Sequence, residues 1–158
     1  MVVELKKNSC EPELVQGTFN PVNKQGINVC ALGDSFPVLD WTEIKDLNDE
    51  IYSLSLNSEI IGLIWMYNIF GHVEIGKIEV SKKQVENRLY KGIAGTLIGF
   101  ACNWSLERYN GVVKLIAPNL KLQAHYANKY GFVQEEIFMT SSSKNSKQLI
   151  ERYLRVVV

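Results

Sequence analysis

The sequence predicts an α+β domain built on a mixed, mostly antiparallel central sheet with helices on both faces. Three observations carry that expectation. The apolar pattern takes up a period of two at Tyr52, runs on through a strand apolar on both faces, and returns to alternation, broken once, in a third strand ending at Val80. From Gly92 the spacing turns helical and stays so to about Arg108. Beyond that helix come a short strand, a second helix and two closing strands, an order that interleaves helices with one continuous sheet.

Size and composition bound the rest. At 158 residues the chain is long enough for one domain with a sizeable core. Its 46% hydrophobic and 22% charged content is that of a globular protein. Seventeen basic side chains balance 17 acidic ones, so no excess positive charge is available to hold a nucleic-acid backbone or an anionic bilayer, and neither is expected as a partner. The three cysteines, Cys10, Cys30 and Cys102, are odd in number and widely spaced, which points to no disulfide framework, no thiolate metal site and a cytoplasmic setting. No signal-peptide run opens the chain, and the apolar patch from Glu59 to Phe70 is too short to span a membrane. The apolar Val156-Val157-Val158 end is able to pair with something, which leaves a homodimer open.

Residues 1–39 carry the weakest pattern, because prolines and glycines interrupt it repeatedly; short strands at Leu14 to Phe19 and Ile27 to Leu32 are the readable pieces. Asp40, Glu43 and the spacing of Trp41, Ile44 and Leu47 predict a short helix ending near Asp49. Tyr52, Leu54 and Leu56 alternate with serines, and Asn57-Ser58 turns the chain into Glu59 to Tyr67, apolar on both faces. After Asn68 to Gly71 reverses it again, His72 to Val80 forms a third strand. There Val73 and Ile75 share a face with Ile78 and Val80 only if one extra residue is absorbed at Gly76 or Lys77, the signature of a β-bulge. His72, Glu74, Lys77 and Glu79 then share the other face, either solvated or lining a site. Ser81 to Tyr90 reads as a polar loop. Ile93, Leu97, Ala101 and Trp104, widened by Ala94 and Ile98, form the buried stripe of the long helix, which Asn110-Gly111 ends. Val112 to Ala117 reads as a strand, Pro118-Asn119 opens a helix lined by Leu122, Tyr126 and Tyr130, and Gly131 closes it. Phe132 to Thr140 and Gln148 to Val157 read as the closing strands.

The stretch Lys91-Gly92-Ile93-Ala94-Gly95-Thr96 sits where the long helix begins. Two glycines flanking a small residue let several main-chain N–H groups turn toward one point, and a helix N-terminus adds partial positive charge, a combination that suits a phosphate or pyrophosphate. Lys91 supplements it. Close packing of a helix on its neighbour produces the same residues, so the motif alone leaves both readings open.

Ile78-Glu79-Val80, the Gly-rich turn, Asn119 and Lys129-Tyr130-Gly131-Phe132, in this order, resemble the GNAT-type N-acetyltransferase superfamily over about the last two-thirds of the chain. The resemblance implies one GNAT-like domain over 1–158, with a divergent part at 1–49 and an acyl-CoA-binding core at 50–158. It implies acetyl-CoA as co-substrate, no metal, and a primary amine, small molecule or protein, as acceptor. Main-chain groups of Ile78 and Val80 would pair with the pantetheine arm, Lys91, Gly92, Ile93, Ala94, Gly95 and Thr96 would hold the pyrophosphate, and Asn119 would contact the arm. Leu89 stands where the family usually carries Gln or Arg; Arg88, one residue earlier, is the cation in reach of a phosphate. Ala127 replaces the usual acid tyrosine, with Tyr126 adjacent.

An amine must lose its proton before it attacks a thioester, so a base is needed. Glu74 is the first candidate, at a spacing from Val80 found in some protein-modifying members, and Glu79 is second; each is otherwise a surface carboxylate. Tyr126 is the candidate acid for the departing thiolate, against a place in the core. His72 reads as an exposed structural residue and Cys102 as a packing residue. A non-catalytic acyl-CoA sensor with the same fold is the competing function, and a nucleotide-binding domain without G-x-x-x-x-G-K-[ST] the weaker one.

Overall fold

The computed structural model describes residues 1–11, 13–22, 34–41 and 50–158. The strand expected at Ile27 to Leu32 and most of the helix expected after Asp40 lie outside them. In chain order the strands are β1 (Val2–Lys7), β2 (Leu14–Pro21), β3 (Glu50–Leu56), β4 (Glu59–Ile69), β5 (His72–Val80), β6 (Tyr90–Lys91), β7 (Val113–Leu115), β8 (Val133–Glu135), β9 (Phe138–Ser141) and β10 (Arg155–Val156). The helices are α1 (Lys82–Asn87), α2 (Ile93–Arg108), α3 (Leu120–Tyr130) and α4 (Ser143–Tyr153). The strands join one sheet in the order β10-β1-β2-β3-β4-β5-β7-β9-β8, with β6 also on β1. All described pairings are antiparallel except β5 with β7.

The hairpins follow from their turns. Asn57 and Ser58 both hold positive φ, as do Phe70 and Gly71, so each reversal takes two residues whose twist matches the flanking strands. Between them β4 is apolar on both faces because both are covered. On one, Ile64 and Met66 belong to the main core with Ile93, Leu97 and Ile98 of α2; on the other, Leu63 joins Ile51, Phe36 and Trp41 in a smaller cluster.

Helix α2 is buried nearly all round, not along a single stripe: Gly95, Gly99, Phe100 and Cys102 are as enclosed as Ile93 and Leu97. The second cover is α4, a helix where the sequence reading placed a loop and a strand. Ser142 caps α4 by accepting the Asn145 N–H at 3.2 Å, and Leu149 and Ser146 form its buried side. The two helices meet over glycines. A Cβ on Gly95 would lie 2.4 Å from Cδ1 of Tyr153 and one on Gly99 3.2 Å from Cβ of Leu154. Gly95→Ala is therefore expected to lower stability by about 1–3 kcal/mol through overpacking, read as a fall in Tm; an unchanged Tm would mean that Tyr153 moves aside freely.

Three further readings change. β1 was not expected, although Val3 and Leu5 alternate into the core. The supposed polar loop at 81–90 contains α1 and the first residue of β6. The apolar C-terminal valines pair within the chain: Val156 lies opposite Val3, and Val157 N–H donates to Val2 O at 2.9 Å, so they give no argument for a dimer. Among the described residues, no helix is long and apolar enough to cross a membrane.

Candidate active site

β5 is a strand in two halves. Trp65 pairs with Lys77 and Met66 with Ile75, so Gly76 is the extra residue, one of the two positions the alternation allowed. Glycine is needed there because a Cβ would lie 2.3 Å from Cε3 of the Trp65 ring, which crosses the bulge. Before the bulge, Val73, Glu74 and Ile75 pair in parallel with Val113, Lys114 and Leu115. Past Ile75 that ladder stops.

The parity of the second half then fixes which groups face the opening. Ser81 N–H donates to Ile61 O of β4 at 2.9 Å, so Glu79 and Lys77, in alternation with it, also turn their main-chain groups to β4. Ile78 and Val80 turn theirs the other way, along an edge that no described strand covers. Ile116, Pro118 and Asn119, which leave β7 beside this edge, are exposed. Asn119 caps α3, its Oδ1 accepting the Leu122 N–H at 2.9 Å.

At the start of α2, Gly92 takes the left-handed conformation, φ 74°, and serves as N-cap without a side-chain cap. The first turn closes with Thr96 N–H on Gly92 O at 2.8 Å, and the Thr96 hydroxyl donates to the same oxygen at 3.0 Å. The N–H groups of Ile93, Ala94 and Gly95 have no acceptor among the described residues, as expected of a helix start without a capping side chain. Gly95 itself serves packing, since Tyr153 takes the space beside its Cα. Lys91 is exposed, and β6 sets it directly opposite exposed Lys6 of β1, with no ion pair to either among the described residues. Two like charges in register repel each other, which an anion would relieve. Lys6 was missed because the pairing of β6 with β1 is not written in either segment alone. Arg88 ends α1 with φ 48° and is exposed.

The two candidate carboxylates are buried, Glu74 at 5% and Glu79 at 7% exposure, so the solvated alternative for this face does not hold for them. Their surroundings differ. Glu79 accepts the Val38 N–H on Oε2 and the Leu39 N–H and Trp41 Nε1–H on Oε1, each at 3.0 Å, which ties residues 38–41 to the sheet. Glu74 Oε1 accepts the Tyr67 hydroxyl at 2.6 Å, while its Oε2 is buried without a donor. His72, half-buried, has its pKa lowered by burial and by the Lys114 cation, so it is neutral at pH 7. Tyr126 is half-buried among Tyr130, Phe132 and His125; burial raises its pKa and keeps the phenol protonated. Burial pushes the Cys102 thiol up to about 11, which makes it a poor nucleophile. Among the described residues no group of His, Cys, Asp and Glu is placed to hold a metal ion.

With a split strand beside an open-ended helix and this strand order, the fold is that of the GNAT acetyltransferases. No protein-family model matches the chain, and no curated protein matches it by sequence. Solved structures do. A GNAT family acetyltransferase from Elizabethkingia anophelis, with acetyl-CoA bound, is 21% identical, with 80% of this chain and 97% of that one covered at a TM-score of 0.59. The ribosomal-protein-S18-alanine N-acetyltransferase from Escherichia coli is 12% identical, with 78% and 92% covered at 0.60. The KacTA–DNA complex is 16% identical, with 87% and 99% covered at 0.61. At these identities the likeness is one of fold.

Proposed function

We propose that this protein is an N-acetyltransferase that moves an acetyl group from acetyl-CoA to a primary amine by direct attack on the thioester. The single observation that carries the reading is the uncovered edge of β5 after Gly76, lying in the same fold as the unbonded amides at the start of α2. Main-chain groups of Ile78 and Val80 hold the pantetheine arm, with Asn119 alongside. The Ile93, Ala94 and Gly95 amides, the Gly92 turn and Thr96 hold the pyrophosphate, and Lys91 and Arg88 add charge.

Glu74 is the base, taking the proton of the acceptor ammonium on its donor-free oxygen. The amine nitrogen then bonds to the thioester carbon, the C–S bond breaks and the thiolate takes its proton from Tyr126, while the nitrogen's remaining extra proton passes back to the Tyr126 phenolate through solvent and Glu74 releases its own to water. The three donors on Glu79 favour an anchoring role for that carboxylate over a catalytic one.

Acetyl-CoA at about 100 times its Kd is expected to stabilise the protein by about 2.7 kcal/mol, read as a rise in Tm. Thiol release over a panel of amines tests turnover. A rise in Tm with no thiol from any amine would select the non-catalytic acyl-CoA sensor. No rise at all would remove both. The DNA in the KacTA structure makes a nucleic-acid probe worth adding to that panel, since only the balanced net charge argues against such a partner here.

A further inference from the structure

Four side chains from four neighbouring strands stand in one row on the sheet face that carries Glu74. The registers pair Tyr67 with Glu74, Glu74 with Lys114, and Lys114 with Thr140. Paired residues point to the same face, at the strand spacing of about 4.8 Å. Glu74 and Thr140 are each at least nine-tenths buried, at 5% and 6% exposure, and each presents a buried oxygen without a hydrogen-bond partner, Oε2 and Oγ1. Lys114 stands between them. Its Nζ lies over the Phe138 ring, 5.4 Å from the centroid, and makes no ion pair among the described residues. The row thus offers, side by side, an acceptor for a cation and a cation plus hydroxyl for an anion.

Buried polar groups are normally satisfied, so two orphans flanking an unpaired ammonium mark a place where a ligand supplies the missing partners. We infer that the acceptor is a free α-amino acid, its ammonium on Glu74 Oε2 and its carboxylate between Lys114 Nζ and Thr140 Oγ1. This rests on the acyl-transfer reading and narrows its acceptor. A polyamine would bring a second cation against Lys114. A peptide N-terminus offers an amide carbonyl where the carboxylate belongs, and gains less from an ammonium. His72, neutral at pH 7, adds no competing charge to the row.

The test measures thiol release from acetyl-CoA with amino acids and their decarboxylated counterparts: leucine with isoamylamine, phenylalanine with phenethylamine, lysine with cadaverine. Free alanine is compared with an alanine-initiated peptide. At least one amino acid should exceed its counterpart in kcat/KM by about tenfold or more, the range for one charge-assisted hydrogen bond. Lys114→Gln should shrink that ratio toward one, mainly through KM. Thr140→Val should shrink it partly, and because it removes a buried unpartnered hydroxyl it should fold even if the lysine variant does not. Amines matching or exceeding their amino acids in every pair, the peptide outrunning alanine, or a ratio unchanged in the variants that fold would each overturn the inference while leaving acetyl transfer standing. Acetyl-CoA binding with no thiol from any acceptor would overturn the transferase reading and this one with it.

Discussion

Glu74→Gln is expected to lower kcat by about a hundredfold to ten-thousandfold, the range that a positioned general base contributes. A lysine-type amine of pKa about 10.4 must be brought to its neutral form at pH 7, a requirement of 3.4 units or about 4.6 kcal/mol, with less needed for a less basic α-amino group, and the donor-free Oε2 is a buried group on this face able to receive the proton. The substitution keeps an oxygen to accept the Tyr67 hydroxyl, so the fold and the acetyl-CoA-induced rise in Tm should survive. Steady-state rates and the melting curve, taken together, separate a lost base from a lost structure. A kcat within about threefold of the parent would move the base to a water chain or to Glu79.

Glu79→Ala should have its effect on stability. The carboxylate gathers three donors, and removing it strands the Val38 and Leu39 amides and the buried Trp41 indole N–H at once. Charged hydrogen bonds of this kind are each worth roughly 1.5–3 kcal/mol, and some donors will find water, so a loss of about 3 kcal/mol is expected. For a chain of this size that is a fall in Tm of roughly 6–12 °C. The smaller apolar cluster of Phe36, Trp41, Ile51 and Leu63 should loosen with it, which tryptophan fluorescence would report. A variant as stable as the parent but nearly inactive would make Glu79 the base and sink the division of labour drawn here.

These two glutamates show what sequence alone conveyed. Their shared face was legible, because the broken alternation placed a bulge at Gly76 or Lys77, and the register resolves it to Gly76. Their different surroundings were not, since Tyr67 reaches Glu74 only through the register of β4 with β5, and the donors to Glu79 come from about forty residues upstream. The same holds for Lys114 and Thr140, unremarkable in their own segments and joined to Glu74 by sheet order.

Helix α2 was readable from its Gly92 start and its period, but not the burial of its second side, which depends on α4. That helix was misread because the β-branched tail after Leu154 extended the apparent strand backward over Leu149 and Ile150. Against it stood the Ser142 cap and the run of Lys, Gln, Glu and Arg, which favours helix. β1 went unread because short N-terminal alternation, Val3 and Leu5, is weak evidence without a partner strand, and its partners lie far away.

Those distant partners have a kinetic meaning. β1 is zipped to β2 on one side and on the other to both β6 and β10, drawn from the middle and the last residues of the chain. Little of that edge can assemble early, because each seam must wait until long intervening segments have been brought round, and such non-local pairing slows folding. The hairpins β3-β4-β5 can form first from nearby residues, so the lysine pair beside the helix start is among the last parts of the molecule to come together.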